Sequence, residues 1–165
     1  TPYRYADMRV PIADARVDQV AFAGGQLWSE PLLTFNHELD YSGSFPDDVG
    51  ILSWDKETLV ESGSVDVPNG KINYVERWHS CTPNITVCET WEARGSDDAL
   101  QEIALKVGEY AMVMTSLSGF GAVLFEQGSS YWSETTHIGN KVESYPPWTL
   151  GPSSPETKLH WIEIN

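Results

Sequence analysis

Short runs of β-branched, aliphatic and aromatic residues recur along the chain, and turn signals separate them. The runs lie at residues 18–29, 51–54, 58–67, 71–80, 88–93, 100–107, 110–117, 121–127, 130–138 and 158–164. Their spacing of about 8 to 12 residues is typical of sandwiches and barrels built from short strands. No segment carries a helical stripe longer than about two turns, although residues 97–106 could begin as a short helix.

This pattern predicts an all-β fold. Because closure removes exposed sheet edges, we expect a small antiparallel closed β-barrel of about eight or more strands, with at most one short helix. A chain of 165 residues with 41% hydrophobic residues is long enough to close one core, so residues 1–165 are predicted to form a single β-barrel domain. Residues 30–50, which are rich in Pro, Gly and Asp, are predicted to be a long loop.

The charge of the chain limits its partners. The formal net charge is −14 and the isoelectric point is about 4.4. Nucleic acids and anionic lipids both require a basic face, so neither is an expected partner. No run approaches about 18 apolar residues, and therefore no membrane-spanning segment is predicted. The scattered carboxylates indicate a solvated surface.

The two cysteines, Cys81 and Cys88, enclose the glycosylation sequon that begins at Asn84. A disulfide in an oxidising compartment explains both features, whereas a half-metal or redox site leaves the sequon to chance. We therefore predict a Cys81–Cys88 disulfide, a glycan on Asn84 and a secreted or secretory-pathway location. Thr1 is the residue expected after removal of a signal peptide, although a trimmed chain would begin in the same way.

The segments on either side of the cysteines predict a hairpin. If Cys81 faces Cys88, the register places Arg77 opposite Glu92 on the outer face and Trp78 opposite Trp91 on the inner face. Because side chains alternate along a strand, the inner face carries Tyr74, Glu76, Trp78, Glu89 and Trp91.

The aromatic content predicts a ligand cavity inside the barrel. Seven tryptophans, seven tyrosines and five phenylalanines exceed what a plain core requires, although core packing remains the alternative for any single ring. Glu76 is the candidate catalytic acid, since a carboxyl among indoles has a raised pKa; the alternative is a rim residue or a pair with an Arg. The candidate substrate-binding residues are Tyr74, Trp78, Glu89, Trp91, Tyr110, Met112 and Phe120.

Other motifs indicate no cofactor and no metal. The His37-Glu38-x-Asp40 segment carries groups that can bind metals, but a solvated turn is the more common reading of such a loop. The chain has no Gly-x-Ser-x-Gly elbow and no phosphate-binding loop, so any chemistry is expected to be cofactor-free.

Four segments in the middle of the chain resemble the HRI family of fungal lipocalin-like proteins. These are residues 58–65 (TLVESGSV), 74–78 (YVERW), 103–107 (IALKV) and 119–126 (GFGAVLFE). The resemblance implies a β-barrel with a hydrophobic interior. The chain departs from that family in being about one barrel long and in carrying Cys81, Cys88 and Asn84, so the resemblance does not extend to function.

A more distant resemblance is to small secretory-pathway fungal hetero-Diels-Alderases, which join a quinone methide to a terpene in tropolone sesquiterpenoid pathways. This resemblance rests on three features: the overall size, the cysteine pair with its sequon, and an aromatic barrel without a cofactor motif. It implies a cofactor-free cyclase, a hetero-Diels-Alder type pericyclase of fungal secondary metabolism. In such an enzyme Glu76, kept neutral, would assist loss of water and then donate to the heterodiene oxygen.

Two other functions stay open at this point. The first is a non-catalytic, lipocalin-like carrier of a small hydrophobic ligand. The second is a secreted carbohydrate-binding sandwich, which would place Trp28, Trp54, Trp132 or Trp148 in an exposed row. For the cyclase and the carrier the expected partner is a small apolar or aromatic molecule. The sequence leaves the oligomeric state open, a homodimer included.

Overall fold

The computed structural model describes residues 3–10, 19–44, 47–67, 70–79, 88–129, 131–142 and 162–163. Over these residues the protein is all-β, with twelve strands in two six-stranded antiparallel sheets. None of the described residues belongs to a helix that is long and apolar enough to cross a membrane.

The N-terminal sheet contains the first six strands in chain order, so each strand forms a hairpin with the next. Its strands are β1 (Tyr3–Arg9), β2 (Val20–Ser29), β3 (Leu32–Asp40), β4 (Asp48–Asp55), β5 (Thr58–Val67) and β6 (Gly70–Trp78). One of the two sheets is a half-barrel, and contact between its first and last strands identifies this sheet as the curled one. A salt bridge between Arg9 on β1 and Glu76 on β6 joins its two edge strands.

The C-terminal sheet has the strand order β11-β10-β9-β8-β7-β12. Its strands are β7 (Cys88–Arg94), β8 (Leu100–Val107), β9 (Tyr110–Thr115), β10 (Gly121–Gln127), β11 (Trp132–Gly139) and β12 (Ile162–Glu163). The prediction of an all-β fold is therefore confirmed. Closure is not confirmed, because neither sheet closes on itself over the described strands.

Two local predictions are wrong. Residues 30–50, expected to be a loop, contain all of β3 and the start of β4. Pro31 and Gly43 lie at the turns on either side of β3, whereas the strand itself alternates between buried and more exposed side chains. The short helix that residues 97–106 could have begun does not form; residues 100–107 form β8, as predicted for that run, because pairing with β7 and β9 outweighs a weak local helical preference.

The predicted hairpin between β6 and β7 does not form. β6 pairs with β5, and β7 pairs with β8 in the other sheet. Trp78 therefore lies opposite Leu59, and Trp91 lies opposite Ala104. The turn between β5 and β6 is short, and a short turn brings strands into register more readily than the longer connection over residues 79–87.

The core between the two sheets combines alanines with larger apolar residues. From the N-terminal sheet it takes Ala21, Ala23 and Leu39, and from the C-terminal sheet Leu100, Ile103, Met114, Ala122 and Ile138. The small alanines let the sheets approach closely, and burial of this apolar area is the main stabilising contribution.

The opposite face of the N-terminal sheet lines the inside of the half-barrel, and we call it the concave face. Its apolar part is a second cluster of Tyr5, Phe22, Leu33, Phe35 and Leu52. The polar residues of the concave face lie on β1, β4, β5 and β6, at alternate positions that point to the same side of the sheet as this cluster. They are Asp7, Arg9, Asp48, Glu61, Tyr74 and Glu76.

A network of ion pairs, buried at Arg4 and Glu92 and more exposed at Arg94, also links the sheets. Arg4 on β1 contacts Glu38 on β3 and Glu92 on β7, and Arg94 lies 2.9 Å from the same two carboxylates. Glu38 is the extra residue of a β-bulge, since Ala23 pairs with Leu39 and Gly24 with His37. Burial opposes ionisation of Glu38, but Arg4 and Arg94 outweigh it and hold its pKa below the usual range.

Candidate functional site

A cavity of about 450 Å³ lies where the two edge strands of the half-barrel approach each other. The side chains that matter for its chemistry are Tyr5, Arg9, Phe35, Glu76, Trp78 and Met112. Its wall thus combines aromatic rings, a thioether and four charged side chains, since Asp7 and Arg77 line it as well. The volume and the mixed wall are those of a site for a small organic molecule.

The polar part of this cavity is held by ion pairs. Arg9 contacts Glu76 across the gap between the edge strands and lies 2.6 Å from Asp7 on its own strand. The guanidinium also lies 5.5 Å from the centre of the Phe22 ring. Burial raises the pKa of the Glu76 carboxyl, and Arg9 opposes that increase without cancelling it. Glu76 is therefore a carboxyl that can exchange a proton closer to neutral pH than an exposed glutamate.

A second polar group lies beside it on the concave face. Glu61 on β5 lies directly opposite Glu76 on β6, and only 2% of it is exposed. The Tyr74 hydroxyl lies 2.9 Å from Glu61 Oε1 and 3.1 Å from Asp48 Oδ1. Burial raises the pKa of Glu61 and the hydrogen bond with Tyr74 lowers it, while the nearby charges of Glu76 and Asp48 raise it, so that the pKa lies above its ordinary value.

Two glycines make room for this group. A Cβ at Gly50 would lie 2.2 Å from Glu61 Oε1, and a Cβ at Gly63 would lie 2.4 Å from the Tyr74 hydroxyl. Since Gly50 and Gly63 are opposite each other on β4 and β5, they form a gap in the side-chain layer of the concave face. The carboxyl and the phenol occupy that gap.

His37 packs between an aromatic ring and an acidic side chain. Its ring stacks on Phe22 with centroids 4.1 Å apart, and its Nδ1 lies 2.7 Å from Asp40. The described residues contain no group of three or more metal-binding side chains. The segment expected to be a solvated turn is instead part of β3, where His37 packs as a ring between the aromatic cluster and Asp40.

Exposed indoles continue the aromatic wall at one end of the concave face. Trp54 lies opposite Leu59, which lies opposite Trp78, and these two tryptophans are 71% and 41% exposed. Trp28 is on the same face and is also exposed. Of the other two tryptophans expected in a row, Trp132 packs against the outer core of the C-terminal sheet. Trp148 lies outside the described residues.

The structure brings together three of the predicted site residues. Glu76, Trp78 and Met112 line one cavity. Tyr74 lies on the same face as Glu76, as its alternation predicts, but its hydroxyl contacts Glu61 and Asp48 instead of the cavity.

The other four predicted residues lie elsewhere. Glu89 is 2.9 Å from Lys106, and Trp91 packs on the apolar cluster of Ala104, Ala111, Val113, Val123, Phe125 and Val142 in the C-terminal sheet, so both point away from the cavity. Tyr110 shares the strand face of Met112 but does not line the cavity. Phe120 packs against the core between the sheets, with its ring centre 5.6 Å from that of Tyr41. The separation of β6 from β7 explains why Glu89 and Trp91 are not in the site.

Sequence reasoning missed the contribution of β1. Tyr5 and Arg9 line the cavity and Asp7 fixes Arg9, yet the start of the chain reads as polar and irregular. Its alternation of Tyr3, Tyr5, Asp7 and Arg9 with Arg4, Ala6 and Met8 is the signal for a strand with one apolar and one mixed face. Glu61 was missed for a different reason, because nothing local indicates that a glutamate between Val60 and Ser62 is buried.

The predicted disulfide and glycan depend on residues outside those described. Cys81 and Asn84 belong to that group, so both features stay predictions. Cys88 is exposed at the first position of β7 and forms no bond to another described residue.

Comparison of the chain with family models, with curated proteins and with solved structures found no match. The two resemblances therefore stay predictions, and the geometry of the site carries the functional argument.

Proposed function

We propose that the protein is a cofactor-free cyclase that binds small apolar or aromatic molecules between the edges of its half-barrel. The observation that carries this proposal is the Glu76 carboxyl, which Arg9 holds in the wall of an aromatic cavity. An acid–base group, a cation and apolar walls are together what a hetero-Diels-Alder type pericyclase needs. We also propose that the described strands form the larger part of a β-barrel that encloses the ligand.

The chemistry assigned to the site begins with a phenol that carries a benzylic alcohol. Glu76 takes the phenolic proton and returns a proton to the leaving hydroxyl, which departs as water and leaves a quinone methide. The carboxyl ends in the protonation state in which it began. Arg9 donates a hydrogen bond to the remaining oxygen and stabilises negative charge there.

The ring-forming step needs position rather than proton transfer. The quinone methide and an alkene form one C–C bond and one C–O bond, and no group leaves. Rings such as Phe35 and Trp78 hold apolar reactants in contact, and such orientation can supply up to roughly 7 to 11 kcal/mol of barrier reduction.

A carrier of a small hydrophobic ligand is the second candidate. The observation that favours it is the ion pair itself. A partly buried Glu76 carboxylate that is neutralised by Arg9 is already accounted for structurally and needs no chemical role. The same cavity would then hold a ligand without changing it.

The test is turnover of ortho-hydroxybenzyl alcohol with a terpene alkene, followed by chiral chromatography. Glu76→Gln should lower the rate by on the order of 10², with affinity nearly retained, because shape is kept and proton exchange is lost. Trp78→Ala should weaken binding. Glu89→Gln is the matched control, since it removes a carboxyl on the outer face of the C-terminal sheet.

The outcomes separate the candidates. Unchanged turnover in Glu76→Gln would remove the acid–base role and leave a cyclase that works by orientation. Quenching of tryptophan fluorescence by an apolar ligand in wild-type protein that gives no product would replace the cyclase by the carrier. If Glu89→Gln loses as much rate as Glu76→Gln, the assignment of the cavity is wrong.

A further inference from the structure

The Tyr74 hydroxyl has one proton but lies within hydrogen-bond distance of two carboxyl oxygens. Those oxygens belong to Glu61 and Asp48, at 2.9 and 3.1 Å. A phenol donates one well-aligned hydrogen bond and accepts others through its oxygen. If both carboxyls were ionised, one of the two contacts would join lone pairs to lone pairs. A proton on one of the two carboxyls satisfies both contacts with well-aligned hydrogen bonds.

Burial and charge decide which carboxyl that is. Glu61 is almost fully buried and forms no ion pair with a described residue, whereas Glu76 opposite it has Arg9. Two ionised carboxylates directly opposite on neighbouring strands repel each other. An ionised carboxyl without a cation in this position would also lose its hydration, and such groups take up a proton instead.

The unpartnered oxygen of Glu61 agrees with this assignment. Glu61 Oε2 is buried and has no hydrogen-bond partner among the described residues. The oxygen of a neutral acid that carries no proton is a weak acceptor, so leaving it unpaired costs less than leaving a carboxylate oxygen unpaired. The raised pKa of Glu61, caused mainly by burial, points in the same direction.

We propose that Glu61 is a protonated carboxylic acid that donates to Tyr74, that Tyr74 in turn donates to Asp48, and that Glu61 acts as a positioning residue for Glu76. The neutral acid presents no negative charge to Glu76, so the Glu76 carboxylate stays on Arg9 at the cavity wall. The part of this inference that concerns Glu76 rests on the proposed function. The location of the proton does not.

The direction of the pH effect follows from the linkage between protonation and folding. Glu61 binds its proton more tightly in the folded state than in the unfolded chain. Its contribution to stability is therefore fully present below the unfolded pKa and is lost as the pH rises through the folded pKa. The groups that face it are Asp48 on β4, Tyr74 and Glu76 on β6, and Arg9 on β1, and the comparison below removes Glu61 alone.

The experiment measures thermal unfolding of four proteins between about pH 4 and pH 8, a range that brackets an elevated carboxyl pKa. The proteins are wild type, Glu61→Gln, Glu61→Leu and the control Glu89→Gln. Gln mimics the protonated acid, since its amide donates to Tyr74 and its oxygen replaces Oε2. We expect Glu61→Gln to match wild type at the acid end and to melt a few degrees higher at the alkaline end. Leu lacks the donor and should melt lower throughout, and the control should keep the wild-type slope.

Two results overturn the inference. If Glu61→Gln has the same pH slope as wild type, Glu61 does not hold the proton. If Glu61→Gln is destabilised at the acid end, Glu61 works as a carboxylate. Turnover tests the positioning role separately: Glu61→Gln should keep the rate within about threefold and Glu61→Leu should lose about tenfold or more. Turnover in Glu61→Leu equal to that of Glu61→Gln removes the positioning role. Absence of turnover in wild type counts against the proposed function, while the unfolding result still decides where the proton is.

Discussion

At the scale of single residues, two glycines and a buried glutamate depend on each other. Gly50 and Gly63 leave a gap in the concave face, and the Glu61 carboxyl and the Tyr74 phenol fill it. Filling a gap with a polar group requires that the group be satisfied by hydrogen bonds. The glycines are therefore part of the site although they carry no side chain.

Gly50→Ala should destabilise the protein by about 1 to 3 kcal/mol, because the new methyl group would overlap with Glu61. Urea unfolding measures this change. Ser53→Ala, an exposed position on the same strand, is the control and should stay within about 0.5 kcal/mol. The Gly50→Ala cost should shrink in a Glu61→Ala background, because the overlapping side chain is then absent. An undiminished cost in that background would show that the strain comes from elsewhere.

At the scale of strands, the two sheets are joined by charge as well as by apolar packing. Arg4, Glu38, Glu92 and Arg94 connect β1 and β3 of one sheet with β7 of the other. A buried network of this kind is strongly sensitive to loss of one member, since the remaining charge stays buried without its partner.

Glu92→Ala should lower the free energy of unfolding by about 3 to 5 kcal/mol, because Arg4 is left buried with one carboxylate fewer. The comparison is Asp55→Ala, which breaks the exposed pair with Arg77 and should cost no more than about 1 kcal/mol. Chemical unfolding of both variants at one salt concentration measures the difference. Equal losses in the two variants would mean that the network contributes no more than a surface pair.

At the scale of the whole molecule, the chain completes one sheet before it begins the other. The described strands of the N-terminal sheet lie between Tyr3 and Trp78, and the described part of the C-terminal sheet begins at Cys88. Residues 79–87 are the connection between the sheets and contain Cys81 and Asn84. A crosslink here would restrain the unfolded chain at the point where the two halves meet.

Protein made in a eukaryotic secretory host should therefore show no reactive thiol before reduction. Cys81→Ser should lower the free energy of unfolding by about 2 to 3 kcal/mol, the loop-closure value for so short a loop. The double change of Cys81 and Cys88 to Ser should cost no more than the single change. Two titratable thiols in the native, unreduced protein would contradict the disulfide.

The sequence predicts most of the strands, and it predicts that Tyr74, Glu76 and Trp78 share one face. Both predictions depend only on alternation along a few neighbouring residues. The choice of strand partners could not be predicted, since β6 and β7 read equally well as a hairpin and as strands of two different sheets. Glu89 and Trp91 lie outside the site for that reason, and Arg9, which was not predicted, reaches Glu76 from the other edge strand of the sheet. Burial of Glu61 could not be predicted either, because the residues that surround it belong to the neighbouring strands β4 and β6. Local sterics and side-chain period act within a strand, whereas pairing, curvature and the protonation of a buried carboxyl are set by contacts that exist only after the sheet has formed.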